Sequence, residues 1–322
     1  MMDERILELY GDQLQIESDR IFSAPATEHF KTLDGVTAIL DFLHRHQFTK
    51  GETLVVVGGG IIQDAGAFVG ACYKRGIRWV HFPTTLLSMC DSCIGGKTGI
   101  NYRNAKNQIA LFSAPSEVII NPHFLKTLPD SAIQSGLGEI LKLCIMGGKE
   151  FLALYHRSVK KGRVIDWPAY KMLILSALSV KRAIVEEDEF ELNHRRSLNY
   201  GHTLGHVIEA LSNYEIPHGI AVVLGMIFAN ELSHRRGLLS RVEKDELNNL
   251  CQDLLDDNTR NILRNMKLET LLDVLRKDKK VESSHVSFVM LKTAGDIQFV
   301  KFLLDDALSK EVDTIIKEAV CA

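Results

Sequence analysis

The chain has 322 residues, of which 46% are hydrophobic and 25% charged, with a formal net charge of −3. That length exceeds one small core and fits two domains of an ordinary soluble globular protein. The charge balance gives no reason to expect nucleic acid or an anionic membrane as partner. No window reaches the roughly 18 uninterrupted apolar residues of a membrane span, and the charged N-terminus lacks a signal peptide's apolar core. Six scattered cysteines, at 72, 90, 93, 144, 251 and 321, fit reduced thiols in a cytoplasmic protein, and the C-x-x-C of Cys90 and Cys93 is only half of a zinc knuckle.

Residues 53–57, TLVVV, form a β-branched run that ends in three glycines and predicts a buried strand of a parallel sheet. Small residues over 64–73 predict a helix packed closely on that sheet, and 77–82 and 118–120 are further strands. The alternation over roughly 1–125 predicts a doubly wound α/β domain. After Thr127-Leu128-Pro129 the texture changes. Segments 131–157, 168–187, 202–213, 219–236, 241–256 and 259–276 show helical spacing, and only 286–291 reads as a strand. The expectation is an α/β domain over 1–130 and a helical domain over 131–322.

Gly58, Gly59 and Gly60 fall between the first strand and the following helix. There a close backbone approach and free N–H groups suit an anion such as a dinucleotide pyrophosphate. Gln63 stands where G-x-G-x-x-G has its third glycine, so a tight structural turn explains the segment nearly as well. Asp91, Lys97, Asn101, Lys106 and Asn107 lie in a stretch read as an irregular Gly-rich loop, suited to a phosphate, a carboxylate or sugar hydroxyls. Glu139 and Lys142 share a helix face between apolar neighbours, so the pair is partly buried and Glu139 is a candidate ligand. Lys181, Glu191, Arg195 and Asn199 lead into three histidines, His202, His206 and His218. The i, i+4 spacing sets His202 and His206 on one helix face. A third imidazole from the turn at His218 makes most of a metal site.

Together the segments GGGIIQDAGAF, YKRGIRWVHFPTTLL, DSCIGGKTGIN, AKNQIALF, FLKTLP, GLGEILK, RRSLNYGHTLGH, HGIAVVLGM and RKDKKV resemble 3-dehydroquinate synthase and the wider sugar phosphate cyclase family, in the family's order. The resemblance runs from about residue 28 to residue 291. It implies a Rossmann-like doubly wound NAD-binding domain followed by an all-helical domain that binds metal. Glu139, His202 and His218 would be the metal ligands, with zinc the usual ion and cobalt an alternative. His206 would instead face the substrate phosphate, which replaces the simple His202–His206 pair. Gly58, Gly59, Gly60, Asp64, Thr84, Thr85, Asp91, Lys97, Lys106, Phe124 and Thr127 would line the NAD site. Lys97, Asn107, Lys142, Lys181, Glu191, Arg195, Asn199 and a lysine of Lys279-Lys280 would hold the substrate. Arg75 would reach the phosphate from the partner subunit of a homodimer. The implied reaction converts 3-deoxy-arabino-heptulosonate 7-phosphate to 3-dehydroquinate and phosphate, through transient oxidation by NAD, phosphate elimination, re-reduction and an intramolecular aldol.

Three departures from the family pattern stand out. The family carries a further strand or two before the position of Met1, and its nucleotide-contacting Asp and Asn find only Asp3. This leaves open a truncated or mis-started N-terminus, or an altered adenosine site. The usual HGE is His218-Gly219-Ile220, and Gln63 replaces a glycine. They raise the alternative of a cyclase acting on another sugar phosphate such as sedoheptulose 7-phosphate. An NAD-dependent polyol dehydrogenase on the same scaffold and a non-catalytic homologue are separate alternatives, the last opposed by intact Glu139, His202 and His218. Lys181 and Arg195 suit a substrate carboxylate and favour the dehydroquinate reaction.

Overall fold

The computed structural model describes residues 1–103, 105–266 and 285–320. It divides into two compact units, Met1–Pro129 and Asp130–Ala322.

In the first unit the order is β1 (Met2–Asp3), α1 (Glu4–Tyr10), β2 (Ser23–Ala24), α2 (Leu33–Arg45), β3 (Thr53–Gly58), α3 (Gly60–Cys72), β4 (Arg78–Pro83), β5 (Lys97–Tyr102), β6 (Ala105–Phe112) and β7 (Glu117–Val118). Five strands form one parallel sheet, β2-β1-β3-β4-β7. The β3–β4 ladder runs in register from Thr53↔Arg78 to Gly58↔Pro83. The run 53–57 is thus a strand, extended by Gly58. Helix α3 begins at Gly60, four residues before the expected 64, because Gly60 already belongs to its first turn. It presses so closely on the sheet that a Cβ on Gly66 would lie 2.6 Å from the Val56 side chain. Thr32 caps α2 by accepting the Gly35 N–H, and Val36, Ile39 and Leu43 join the core of Val56, Ile62, Phe68 and Trp79.

From Lys97 onward the stretch read as an irregular loop is instead an antiparallel ribbon, with Lys97 opposite Phe112 and Ile100 opposite Ile109. Its pairing is between segments, and the glycines at 95, 96 and 99 hide the alternation of Thr98 and Ile100.

The second unit contains α4 (Asp130–Gly147), α5 (Lys149–Ser158), a short ribbon of β8 (Val159–Lys160) and β9 (Arg163–Val164), α6 (Trp167–Glu187), α7 (His202–Leu211), α8 (His218–Arg235), α9 (Arg241–Gln252), α10 (Asp257–Asn265), an antiparallel ribbon of β10 (His285–Thr293) and β11 (Asp296–Leu303), and a final helix, Asp306–Ile315. The expected helix 131–157 is two, broken at Gly148, whose φ of +94° few side chains tolerate. The end of the expected helix 259–276 lies outside the described residues. All residues from 219 to 230 of α8 are buried, as befits a helix apolar on every side. Helices α4, α7 and α9 and strand β10 pack on it. The Leu291 N–H donates to Ser233 Oγ at 3.1 Å and ties the ribbon to it. Among the described residues, no helix is long and apolar enough to cross a membrane.

Candidate active site

Three helices meet where their backbones touch. A Cβ on Gly219 of α8 would lie 1.8 Å from the Ser135 carbonyl oxygen of α4. One on Gly225 would lie 1.8 Å from the carbonyl oxygen of Gly201, the residue that precedes α7. Any side chain at these positions would drive the helices apart. Their absence brings Glu139 of α4 beside His202 and His218, the first residues of α7 and α8. One ligand atom from each of the three lies within 4.8 Å of the others.

Glu139 is 1% exposed. Its Oε1 stands 3.2 Å from His218 Nε2 and 3.6 Å from His202 Nε2, and its Oε2 stands 2.5 Å from Lys142 Nζ. Glu139 is thus held among the nitrogens of Lys142, His202 and His218, with neither carboxylate oxygen fully satisfied by a well-directed hydrogen bond. Each histidine engages its other nitrogen elsewhere: His202 Nδ1 lies 3.2 Å from the Tyr200 carbonyl, and His218 Nδ1 lies 3.1 Å from Glu209 Oε2. Burial pushes His218 down, but the carboxylates of Glu139 and Glu209 outweigh it and lift its pKa to about 10. One carboxylate and two oriented imidazoles, with buried acceptor oxygens left over, fit a three-ligand divalent site with an open position.

His206 follows one turn after His202. It is exposed, and its ring centroid lies 5.3 Å from that of His202 and 5.8 Å from that of His218. It therefore borders the trio on the solvent side. Lys142, Lys181 and Arg195 are all buried, at 2%, 7% and 1% exposure. Arg195 is anchored through its N–H to Asp188 Oδ2 at 3.0 Å and through its guanidinium to the Glu189 carbonyl. Asn199 donates to Glu191 Oε1 at 2.8 Å. Among the described residues, the buried charges of this unit are these three cations and the carboxylates of Glu139 and Glu209. Cations are seldom buried without a purpose. Lys279 and Lys280 lie outside the described residues.

In the first unit the glycine turn is built as a cradle. Gly59 approaches Thr85 so closely that a Cβ would meet its Cγ2 at 2.8 Å, and the Gly58 carbonyl accepts the Thr84 N–H at 3.1 Å. The same carbonyl lies 3.3 Å from Nε2 of the buried His81. Gln63, which breaks the glycine pattern, donates to the Ser92 carbonyl at 2.7 Å and accepts from Ser92 Oγ at 2.8 Å. It thereby fastens the π-helical turn Ser88–Ser92, which carries Asp91, to α3. Phe124 and Thr127 both meet Tyr10, at 5.3 Å between rings and 3.0 Å between hydroxyls.

Asp64 pairs with Lys31 at 3.0 Å, and Lys31 also donates to Asn107 Oδ1 at 2.8 Å. Burial raises the Asp64 pKa against the pull of Lys31. Lys106 pairs with Glu28 at 2.8 Å, and Asn101 links Glu28 to the Asn107 N–H. Burial works to raise Glu28, but Lys31, Lys106 and Asn101 prevail and lower it. Glu28 and Lys31 are missing from the sequence-based set. Nothing in their spacing marks them, although Lys31 is 5% exposed. Lys97 is exposed at the start of β5. Arg75, Asn107 and Glu191 all have positive φ, at +65°, +52° and +58°, a conformation that non-glycine residues adopt at a cost.

Comparison with known proteins agrees over nearly the whole chain. The family models for the N-terminal and C-terminal parts of 3-dehydroquinate synthase match residues 21–135 and 136–281. The 3-dehydroquinate synthase of Alkaliphilus metalliredigens is 35% identical over 304 residues, 92% of this chain and 84% of that protein. That of Pelagibacter ubique is 36% identical over 294 residues, 89% of this chain and 80% of that protein. Among solved structures, 2-epi-5-epi-valiolone synthase from Streptomyces hygroscopicus subsp. jinggangensis, with NAD+ and Zn2+ bound, superposes with a TM-score of 0.81 at 24% identity, covering 98% of this chain and 88% of that one. A 2-deoxy-scyllo-inosose synthase complexed with carbaglucose-6-phosphate, NAD+ and Co2+ also gives 0.81, at 22% identity, covering 99% and 88%. A probable glycerol dehydrogenase from Sinorhizobium meliloti gives only 0.62 at 13% identity, covering 99% and 89%. A parallel α/β unit with a glycine cradle, a helical unit with a Glu-His-His trio, and matches spanning both lead to one conclusion: the chain belongs to the 3-dehydroquinate synthase family.

Proposed function

We propose that the protein is a 3-dehydroquinate synthase, closing 3-deoxy-arabino-heptulosonate 7-phosphate to 3-dehydroquinate with loss of phosphate. The observation that carries this reading is the burial of Lys142, Lys181 and Arg195 in the unit that holds Glu139, His202 and His218. A substrate with both a carboxylate and a phosphate has a use for three buried cations, whereas a simple polyol does not. When bound, NAD supplies a reversible hydride acceptor and a divalent cation supplies Lewis acidity. Glu139, His202 and His218 would hold the cation, with zinc favoured by the donor set and cobalt as the alternative.

The remaining work falls to positioning. Gly58, Gly59, Gly60, Thr84, Thr85, Asp91, Phe124 and Thr127 would seat the dinucleotide, with Asp64 and Lys106 held by Lys31 and Glu28 beside it. Arg195, already fixed through its backbone and guanidinium, offers a preorganised fork to a carboxylate, and Lys181 adds charge. His206, exposed beside the trio, would bind the phosphate. Lys97, Lys142, Asn107, Glu191 and Asn199 would order the sugar hydroxyls and carbonyl, so that the elimination and the aldol start from aligned groups. Arg75 would serve the site of a second copy in a homodimer. The protein would work in the cytoplasm, consistent with its five described free cysteines.

The test supplies enzyme, NAD+ and zinc with either the heptulosonate phosphate or sedoheptulose 7-phosphate and measures phosphate release. Release from the first alone is expected. Release only from the second would assign a different cyclase, and accumulation of NADH from glycerol would assign a dehydrogenase.

A further inference from the structure

Both ring nitrogens of His218 are engaged: Nε2 faces Glu139 Oε1 at 3.2 Å and Nδ1 faces Glu209 Oε2 at 3.1 Å. Glu209 stands seven residues after His202 on α7, two turns along the same face. One helix therefore carries a candidate ligand and the acid that addresses another. Glu209 is 9% exposed, and a carboxylate is removed from water at a cost that only a partner offsets. His202 differs, since its Nδ1 meets the neutral carbonyl of Tyr200.

We propose that Glu209 is a positioning residue of the metal site. Its carboxylate accepts the Nδ1–H of His218, fixes the tautomer that directs the Nε2 lone pair toward the ion, and makes that nitrogen a stronger donor than His202. It brings a second negative charge close to the cation without touching it. This inference rests on the metal-site reading of Glu139, His202 and His218.

The test compares wild type, Glu209→Gln, Glu209→Ala and His218→Ala for zinc affinity by chelator competition. The visible spectrum of each Co2+-loaded protein and the melting of each metal-free protein are recorded in parallel. Glu209→Ala is expected to weaken zinc binding roughly 10–100-fold. Glu209→Gln, whose amide oxygen still accepts from Nδ1–H, should fall between it and wild type. Both should alter the Co2+ bands, while metal-free Glu209→Gln, which keeps an acceptor for Nδ1–H but loses a charged partner of His218, should still melt cooperatively, somewhat below wild type. Wild-type affinity and spectra in both Glu209 variants, with binding lost in His218→Ala, would overturn the role of Glu209 alone. Equal affinity in wild type and His218→Ala would overturn the metal-site reading with it.

Discussion

Adding one methyl group at Gly225 should disable the site from two helical turns away. The Cβ of alanine would lie 1.8 Å from the Gly201 carbonyl oxygen and 2.9 Å from the Gly205 nitrogen, both backbone atoms with no side-chain freedom to yield. Ordinary contact begins at 3.4 Å, so α7 and α8 must part by about 1.6 Å, an overpacking that sits at the upper end of the usual cost, about 3 kcal/mol. The better helix propensity of alanine returns about 1 kcal/mol, for a net loss of about 2 kcal/mol. Gly201 directly precedes His202, and a shift of that size far exceeds the roughly 0.2 Å tolerance of a metal–ligand bond. Urea unfolding of the metal-free protein should show the lost stability, and chelator competition should show zinc affinity reduced at least about 100-fold. Gly51→Ala is the control, since only Thr49 Oγ1 at 4.0 Å stands near its Cβ. Unchanged urea midpoint and zinc affinity in Gly225→Ala would refute the claim that helix contact sets the ligand geometry.

Two further outcomes follow from single side chains. Burial holds His81 down to about 4, opposed by its hydrogen bond to Gly58, while the unfolded ring titrates near 6.5. The unfolded chain therefore takes up the extra proton between those values, and this contribution to stability, about 3 kcal/mol, is present above 6.5 and lost as pH falls toward 4. Replacing the imidazole in His81→Gln should flatten that part of a urea-midpoint-against-pH curve, and parallel curves would contradict it. Arg195→Ala should raise the KM for the heptulosonate phosphate about 100-fold or more through loss of a charge-assisted pair, and a KM equal to wild type would argue for a substrate without a carboxylate.

The strand–glycine–helix unit at 53–72 was legible because local patterning suffices for it: a β-branched run, a turn without side chains, then small residues. The ribbon Lys97–Phe112 was not, because its order lies in pairing across the turn rather than in either segment. Glu139, His202 and His218 were identified by resemblance; the i, i+4 spacing alone would have joined His202 to His206. Glu209 carries only half a signal: i, i+7 spacing from His202 sets it on the same face, but only the fold brings His218 onto that face. Glu28 and Lys31 carry no local signal, because their partners Lys106, Asp64 and Asn107 lie more than 30 residues away.

The two hydrogen bonds between Gln63 and Ser92 give the glycine cradle a mechanical property that a third glycine could not. They join the first turn of α3 to the segment bearing Asp91, so the floor of the cradle cannot move against that wall without breaking them. Hydrogen exchange at residues 88–93 should then keep pace with that of α3 rather than with exposed loops. A wall fastened in this way lowers the ordering cost that a ligand would otherwise meet on binding there.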